Sequence, residues 1–378
     1  MRLTVLVKLL PSKPQSEALK QTLRRVNSAC DYVSGVAWET RTFGNYALQK
    51  KTYQEVKEGF SLTAQVVVRR LAKVADAFTL DKRTRRTFRP LGAIAYDDRI
   101  LRWYDSEVSI WTVAGRERVP FVCGARARDL LDSRRGESDL VYRGGKFYLF
   151  ATVEIEEPPP RVPEDWLGVD LGVTNVATDS DGKTYTSERT EKSRTRYERI
   201  RSKLQSAGTK SAKRHLKKLS KRERRHKRDV NHCLSKGIVS KAKESDRGIA
   251  LEDLKGIRER TGKRLRRSQR SRHSKWAFSE LRLFIEYKAR LAGVPVVYAD
   301  PAYTSQTCSE CGHKERANRK SRDDFRCKSC GHAAPADVNA ARNISAAVMQ
   351  RIVSEKEDVT HASSSLSRDK PAAVAVGS

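Results

Sequence analysis

The chain has 378 residues, which is enough for two or three domains. It carries 77 Lys and Arg against 46 Asp and Glu, and this excess of positive charge indicates a polyanionic partner. A hydrophobic content of 38% argues against wholesale disorder, and no apolar run is long enough to span a bilayer. Lys8 interrupts the apolar start and no small-residue cleavage site follows, so we expect no signal peptide and a cytoplasmic location.

The first half of the chain mixes strand and helix patterns. Residues 2–9 are apolar at every second position, which predicts a strand, whereas 19–37 and 64–78 repeat apolar residues at helical spacing. Residues 86–155 return to short β-rich runs, with a hairpin predicted around Gly144-Gly145. The first strand needs partners that only this later region offers. We therefore predict a β-barrel-like domain at 1–12 and 86–157, with an inserted helical lobe at 13–85.

The second half begins after a proline-rich segment, 156–165, which is hostile to helix and is the predicted domain boundary. Its patterns follow the order β-β-β-α-β-α-β-α around a cysteine-rich segment, so the chain is predicted to be an α+β multidomain protein. The end of the chain is rich in Ser and Ala without periodicity. The predicted parts are a mixed α/β domain at 161–302 and 335–352, a cysteine-rich insertion at 303–334 and a disordered tail at 353–378.

Four of the seven cysteines form two Cys-x2-Cys pairs, Cys308 with Cys311 and Cys327 with Cys330. Each pair makes a tight knuckle that presents two thiolates, and two knuckles close a tetrahedron around Zn²⁺. A glycine follows each pair, where a knuckle turn favours positive φ. Two disulfides or two redox motifs are alternative interpretations, but the spacing favours one zinc ion in a zinc ribbon. Four thiolates leave no open coordination position, so we expect this ion to be structural.

Three acidic residues occupy suggestive places in the predicted elements. Asp170 lies in an apolar strand, Glu252 ends another strand, and Asp337 starts the last helix. A charge within an apolar strand is costly unless it is paired or binds a metal, whereas Asp337 alone fits a helix N-cap. The first strand, the fourth strand and the final helix can meet at one sheet edge. Converging carboxylates there would bind two Mg²⁺ or Mn²⁺ ions for phosphodiester hydrolysis.

The segments around these acids resemble the TnpB proteins of bacterial insertion sequences, in the RuvC-like branch of the RNase H fold. The matching motifs are GVDLGVTNVAT with Asp170, ALEDLKGI with Glu252 and ADVNAARNI with Asp337. YADPAYTSQTCSECGH and CKSCGH, between the second and third motifs, are also typical of the family. The resemblance is strong over residues 166–348.

The resemblance implies an RNase H-like (RuvC) nuclease domain with three catalytic, metal-binding acids. The zinc ribbon would be its insertion for binding target nucleic acid. It also implies a guide RNA from the end of the element, and cleavage of double-stranded DNA beside a short adjacent motif. The β domain would be wedge-like and the helical insertion a recognition lobe. In one departure, His232-Cys233 stands where the family commonly has His-Lys, and we interpret His232 as a helix-packing residue.

Basic residues are concentrated in two stretches. Residues 192–228 hold 17 Lys or Arg against two acids, and 255–275 add ten more. A solvated charged face is the alternative interpretation, but like charges at this density repel and need counterions, which favours nucleic-acid phosphates. Gln65, Arg69 and Arg70 lie near one helix face and form a hypothetical reader of the adjacent motif, because Gln pairs with adenine and Arg with guanine. The predicted phosphate contacts are Arg214, Lys217, Lys218, Arg319 and Lys320.

The leading hypothesis is therefore an RNA-guided, Mg²⁺-dependent DNA endonuclease with one structural zinc ion and no membrane partner. Three alternatives stay open: a resolvase or transposase of RNase H fold acting without a guide, a nuclease-inactive RNA-guided DNA-binding protein, and a non-catalytic nucleic-acid binder. A compact CRISPR effector is closely related to the first hypothesis, and the genomic neighbourhood distinguishes the two.

Overall fold

A computed structural model describes residues 1–172, 175–185, 188–253 and 278–366. The chain divides into two compact units, Met1–Glu156 and a second that begins at Glu157, and the division falls at the start of the proline-rich segment. The predicted basic stretch 255–275 lies outside the described residues. Among the described residues, no helix is both long and apolar enough to cross a membrane.

A seven-stranded antiparallel sheet forms the framework of the first unit. The strands are β1 (Arg2–Leu9), β2 (Ile94–Tyr96), β3 (Leu101–Trp103), β4 (Glu107–Thr112), β5 (Gly115–Val122), β6 (Arg134–Arg143) and β7 (Lys146–Glu154). Their order is β2-β6-β7-β1-β5-β4-β3, and the sheet is nearly closed. The first strand pairs with both β5 and β7, so the partners predicted for residues 2–9 come from the later β-rich region.

The predicted hairpin joins β6 and β7. Arg143 pairs with Lys146, which leaves a two-residue turn at Gly144 and Gly145 with φ of 61° and 80°. Two consecutive positive φ angles are what a tight hairpin turn of this kind requires, and glycine adopts them without steric cost. The hairpin prediction is confirmed.

Helices α1 (Lys13–Glu39), α2 (Asn45–Gly59) and α3 (Ala64–Leu80) lie between β1 and β2, and a short α4 (Ala125–Leu131) precedes β6. Ser12 and Gln15 form a capping box at the start of α1. The apolar seams predicted for α1 and α3 are buried in a single hydrophobic cluster with the inner face of the sheet. Helix α2 was not predicted, because it buries only Leu48, Thr52 and Val56 and so has a weak apolar pattern.

The elements of the second unit are β8 (Trp166–Asp170), β9 (Thr178–Asp179), α5 (Glu188–Ala207), α6 (Lys210–Glu244), β10 (Gly248–Glu252), α7 (Phe278–Ala292), β11 (Val296–Ala299), β12 (Asp324–Arg326), β13 (Ala333–Pro335) and α8 (Ala336–Leu366). Four of the strands form a sheet of order β11-β10-β8-β9. Strands β8, β10 and β11 are parallel, and β9 is antiparallel to β8. Of the third strand predicted at residues 183–187, the described residues 183–185 form one isolated bridge, Thr178 to Thr184.

Helices cover both faces of this sheet. Leu167, Val169, Ile249 and Leu251 pack with residues of α6 and α7 on one face. On the other face, Trp166 and its neighbours Ala250 and Ala299 pack with Ile344 and Val348 of α8. His232 of α6 stacks on Phe284 of α7 with ring centroids 3.9 Å apart, which confirms its interpretation as a packing residue.

Helix α8 approaches β8 unusually closely. A Cβ atom on Gly168 would lie 1.9 Å from the carbonyl oxygen of Ala341, so only glycine fits at this position. Ser345 of α8 stabilises the packing of the helix on β8, because its Oγ donates a hydrogen bond to the carbonyl oxygen of Trp166 at 2.6 Å. This close approach sets the distance between the end of β8 and the first turn of α8.

Helix α8 enters the segment 353–378, which is predicted to be a disordered tail, and continues as far as Leu366. Residues 367–378 lie outside the described part of the chain. Glu and Lys at 355–357 are good helix formers, and extending an existing helix requires no new nucleation.

Candidate metal centres

Asp170 and Glu252 lie side by side at one edge of the second sheet. Val169 pairs with Leu251 in the parallel ladder, and the next residues along the two strands are Asp170 and Glu252. Because side chains alternate between sheet faces, both acids share the face of Trp166 and Ala250, which α8 covers. Asp337 lies in the first turn of that helix. The predicted meeting of first strand, fourth strand and last helix is thus present in the fold.

Asp253 illustrates the same alternation in the opposite sense. Its carboxylate accepts a hydrogen bond from Nη1 of Arg282 on α7 at 3.0 Å, so Asp253 points to the other face. This agrees with its exclusion from the predicted trio.

The electrostatics of the acidic site favour a bound cation. Burial raises the pKa of Asp170 to about 8, and the negative charges of Glu252 and Asp337 add to the increase. Burial also raises the pKa of Glu252, which is only 9% exposed. A divalent cation would relieve this repulsion, and an all-oxygen donor set suits Mg²⁺ or Mn²⁺. The residues present therefore fit the metal that the motif implies.

Among the described residues, the four cysteines alone form a group of three or more potential ligands whose donor atoms all lie within 4.8 Å of one another. The three carboxylates do not meet this distance criterion.

Neighbouring side chains hold two of these acids in place. Thr304 donates a hydrogen bond from Oγ1 to Oε1 of Glu252 at 2.7 Å. Asn175 donates one from Nδ2 to Oδ2 of Asp337 at 2.9 Å. A guanidinium nitrogen of Arg319 lies 3.8 Å from Oδ1 of Asp337, and its charge opposes the rise in the pKa of Asp170.

The four predicted cysteine ligands come together as a cluster. Sγ of Cys308 lies 3.7 Å from Sγ of Cys330, and Sγ of Cys311 lies 3.6 Å from Sγ of Cys327. A tetrahedron with Zn–S bonds of about 2.3 Å has edges of about 3.8 Å, whereas a disulfide requires about 2.05 Å. The cluster therefore has the dimensions of a four-thiolate zinc site and excludes the disulfide alternative in this conformation.

The two cysteine knuckles have matching backbone geometry. Gly312 and Gly331 have φ of 73° and 75°, as their positions predicted. In each knuckle the glycine N–H bonds back to the first cysteine's carbonyl oxygen, Cys308 or Cys327. The hairpin of β12 and β13 completes the ribbon, and Phe325 is its central buried side chain.

The structure corrects one member of the predicted motif reader on α3. Arg70 is 1% exposed and donates from Nη2 to the carbonyl oxygen of Ala95 at 2.8 Å, so it is a core residue and is not available to DNA. Gln65 and Arg69 are partly exposed. Gln65 bonds to Asp97, and Arg69 forms ion pairs with Asp97 and Glu137.

The predicted phosphate contacts on α6 are all exposed: Arg214, Lys217 and Lys218. Glu223 is the only acid at positions 210–228 of this helix. Its side chain is turned inward and pairs with Arg201 of α5 and with Lys227. The outer face of α6 is therefore cationic along several turns. On the ribbon, Lys320 is exposed, whereas Arg319 is partly buried beside Asp337.

Sequence reasoning missed the contacts of Thr304 and Asn175 with two of the acids, and also the proximity of Arg319 to Asp337. Thr304 lies in the family-typical segment YADPAYTSQTCSECGH, and Asn175 follows Asp170 by five residues. The signal that could have indicated both residues is that each is a polar residue inside a motif segment. Their partners are 52 and 162 residues away, so spacing did not indicate them.

Two family models match the second half of the chain. Residues 150–258 match OrfB_IS605, described as a probable transposase, and residues 278–344 match the Cas12f1-like TNB domain. The second match includes α7, the whole ribbon and the start of α8.

Curated relatives match over parts of the chain. The CRISPR-associated endodeoxyribonuclease Cas12f1 of Sulfoacidibacillus thermotolerans is 42% identical over 127 residues, 33% of this chain and 28% of the relative. The TnpB-like protein MJ0751 of Methanocaldococcus jannaschii is 37% identical over 129 residues, 34% of this chain and 45% of the relative. The putative RNA-guided DNA endonuclease InsQ of Escherichia coli is 32% identical over 224 residues, 54% of each chain. The matches thus span about half of these relatives or less.

The fold has a counterpart among solved structures. The Cas12f1 chain of a cryo-EM structure with sgRNA and target DNA aligns with a TM-score of 0.58 and 14% identity, covering 86% of this chain and 82% of that one. The fold and the cysteine cluster place the chain in the α+β class to which that protein belongs. Within this class, the predicted resemblance to the TnpB family is confirmed by the two family models and the named relatives.

Proposed function

We propose that this chain is an RNA-guided DNA endonuclease of the TnpB type, with a RuvC-like domain that cleaves target DNA next to a short adjacent motif. The observation that carries the proposal is the convergence of Asp170, Glu252 and Asp337, with the pKa of Asp170 raised to about 8 by burial and by its acidic neighbours. Buried acids that repel one another are costly to keep unless they serve a bound cation. The name of the InsQ relative, a putative RNA-guided DNA endonuclease, supports a guide RNA and a DNA target.

Asp170, Glu252 and Asp337 would hold two Mg²⁺ or Mn²⁺ ions. Two such ions, when bound, polarise the phosphodiester and stabilise both the attacking and the leaving oxygen. Thr304 and Asn175 orient two of the carboxylates by the hydrogen bonds described above. Arg319 adds a fixed positive charge beside Asp337, where negative charge on a reacting phosphate would develop.

The cationic face of α6 and the zinc ribbon would bind nucleic acid. Exposed Lys and Arg bind phosphates without reading sequence, which is what a guide RNA or a guide–target duplex of any sequence requires. One structural Zn²⁺ held by the four cysteines would keep the ribbon folded. In this proposal the sequence of the target is read by base pairing with the guide.

The first experiment is to sequence the RNA that survives high-salt purification of the protein, co-expressed with its native flanking DNA. High salt removes non-specific phosphate contacts, so a discrete RNA from the end of the element with a variable 3′ segment is the expected result. A mixture of cellular RNAs would contradict the guide and favour a guide-free resolvase or transposase, which branched-DNA and strand-joining assays would then distinguish.

The second experiment tests catalysis with the recovered RNA and a matching DNA. We expect Asp170→Ala to abolish cleavage while RNA and target binding stay within about twofold of the unsubstituted protein. Asp165→Ala is the matched control, because this acid precedes the same strand and is 60% exposed. Cleavage by the Asp170→Ala protein would contradict the assignment of the site. Binding without cleavage by the unsubstituted protein would favour the nuclease-inactive alternative.

A further inference from the structure

Glu252 receives its hydrogen bond from a turn that lies just before Cys308, the first cysteine of the ribbon. The turn begins at Tyr303, whose φ is 64°, and the N–H groups of Gln306 and Thr307 donate to its carbonyl oxygen. Thr304 is 7% exposed and aims its hydroxyl at Oε1 of Glu252. A left-handed conformation at a tyrosine is sparsely populated, so contacts outside the turn must stabilise it.

Those contacts come from two asparagines of α8. Asn343 donates from Nδ2 to the carbonyl oxygens of Thr304 and Thr307 at 2.8 and 2.7 Å. Asn339, which is fully buried, donates from Nδ2 to the carbonyl oxygen of Thr307 at 2.8 Å and accepts from the N–H of Ser309 at 3.0 Å. The two amides, four residues apart on one helix face, thus fasten the turn to α8.

The same contacts connect the two candidate metal centres. Asn339 lies two residues after Asp337, so one rigid helix carries the third acid and the support for Thr304. Ser309, which binds Asn339, follows the zinc ligand Cys308 directly. The path from the four-cysteine site to Glu252 is therefore short and consists of hydrogen bonds between buried or partly buried groups.

We propose that Thr304 is a positioning residue for Glu252, and that Asn339 and Asn343 hold it in place between the zinc ribbon and the acidic site. This inference rests on the proposed function and names how that site is held. The Thr304 hydroxyl donates to Oε1 and restricts the rotation of the carboxylate, and Oε2 takes no part in this bond. Groups that orient a metal ligand in this way typically change metal affinity about 10–100-fold when removed.

The test compares Thr304→Val, which removes the hydroxyl at nearly constant volume, with Thr304→Ser, which keeps it. We expect Thr304→Val to raise the half-saturating Mg²⁺ concentration for cleavage about tenfold, and Thr304→Ser to stay within about threefold of the unsubstituted protein. Thr52→Val is the matched control, because this buried hydroxyl of α2 donates to the carbonyl oxygen of Leu48 and not to an acid.

A second readout does not depend on cleavage. Mn²⁺ binding to the zinc-loaded complex with its RNA is measured by the EPR signal of free Mn²⁺, and the signal of the Glu252→Gln complex is subtracted to remove ions bound by RNA. We expect the remaining affinity to fall about tenfold in Thr304→Val and to recover in Thr304→Ser. Thr304→Ala replaces the valine variant if the latter does not fold, with the same expected result.

Equal Mn²⁺ affinity in Thr304→Val and the unsubstituted protein would overturn the inference, as would equal losses in Thr304→Val and Thr304→Ser. These outcomes are distinct from a failure of the proposed function, in which the Asp170→Ala protein would still cleave DNA.

Discussion

The guanidinium of Arg319 lies 3.8 Å from the carboxylate of Asp337, although one residue belongs to the zinc ribbon and the other to the first turn of α8. Arg319 also donates a hydrogen bond to the carbonyl oxygen of Arg322, which fixes its side chain within the ribbon. The ribbon therefore contributes a positive charge to the acidic site as well as an exposed basic surface. This relationship makes separate predictions for catalysis and for binding.

Arg319→Ala is expected to slow target cleavage about 100-fold, because a fixed donor beside the developing charge is lost. Arg319→Lys should restore part of the rate, since it keeps the charge without the planar fork. Cleavage is measured under single-turnover conditions with saturating DNA. The control Arg322→Ala removes an exposed arginine of the same ribbon. A loss of DNA affinity as large as the loss of rate would indicate a phosphate contact instead.

Removal of zinc is expected to unfold the ribbon. Its buried cluster consists of Phe325, Ala336 and two of the cysteines, which is too small a core to stabilise the hairpin without a metal. Cys311→Ser should lower bound zinc from one equivalent to near zero and make the ribbon sensitive to protease. Cys233→Ser, at an exposed cysteine of α6, should keep full zinc content. Elemental analysis and limited proteolysis measure both effects, and a zinc-free but protease-resistant ribbon would contradict this prediction.

The pH dependence of stability is expected to depend on Asp181. Its hydrogen bonds with Arg247 and Lys241 hold the pKa of this carboxyl well below its usual range. A carboxyl whose pKa is lowered in the folded state stabilises the protein at pH values above its unfolded pKa of about 4. This stabilisation is lost as the pH falls toward the folded-state pKa. Asp181 is 41% exposed, so we expect Asp181→Asn to cost only about 1 kcal/mol at pH 7.

That difference from the unsubstituted protein should shrink as the pH is lowered from about 5 to about 2, because Asp181 then takes up a proton on unfolding, which favours the unfolded state. Urea unfolding at several pH values measures it. Asp246→Asn, at a carboxylate that is 76% exposed, is the control. A difference that stays constant with pH would exclude the ion pairs as its cause.

Gly168→Ala is expected to destabilise the second unit by about 3 kcal/mol, since the new Cβ would meet the carbonyl oxygen of Ala341 at 1.9 Å. The helix must move away from β8, so the spacing of Asp170 and Asp337 changes and Mg²⁺ affinity should also fall. Gly59→Ala, where no atom lies within 4 Å of the added Cβ, should change stability by less than about 1 kcal/mol. Thermal unfolding with Mn²⁺ titration tests both, and normal Mn²⁺ affinity in Gly168→Ala would contradict the spacing argument.

The cationic face of α6 should control the salt dependence of RNA binding. Arg214 and Lys218 are exposed and four residues apart, so they share one face of the helix. Replacing both with Ala should weaken binding and reduce the slope of log K against log salt by about 1.5, equally for different RNA sequences. Arg143→Ala with Lys146→Ala, at the exposed hairpin turn of the first unit, is the matched control. An unchanged slope would indicate that this face of α6 is a solvated charged face that does not bind RNA phosphates.

Much of the architecture follows from short-range patterns. The alternation of residues 2–9, the Gly144-Gly145 turn and the paired cysteines each express a local rule of backbone geometry or metal coordination, and each appears in the structure. Alternation along a strand also placed Asp170 and Glu252 on one face and Asp253 on the other. Together with the motifs, this was enough to predict where the acids lie.

The tertiary structure decided which polar residues face inward. Arg70 was predicted on an accessible face and is buried, because the sheet covers the side of α3 that a helical pattern alone does not distinguish. Thr304, Asn175 and Arg319 acquire their roles from partners that are distant in sequence. Local spacing determines secondary structure and metal-binding knuckles, whereas pairings between distant segments depend on how the elements pack. The sequence by itself thus determined most of the elements and the three acids, and the packing of distant segments against one another decided what surrounds those acids.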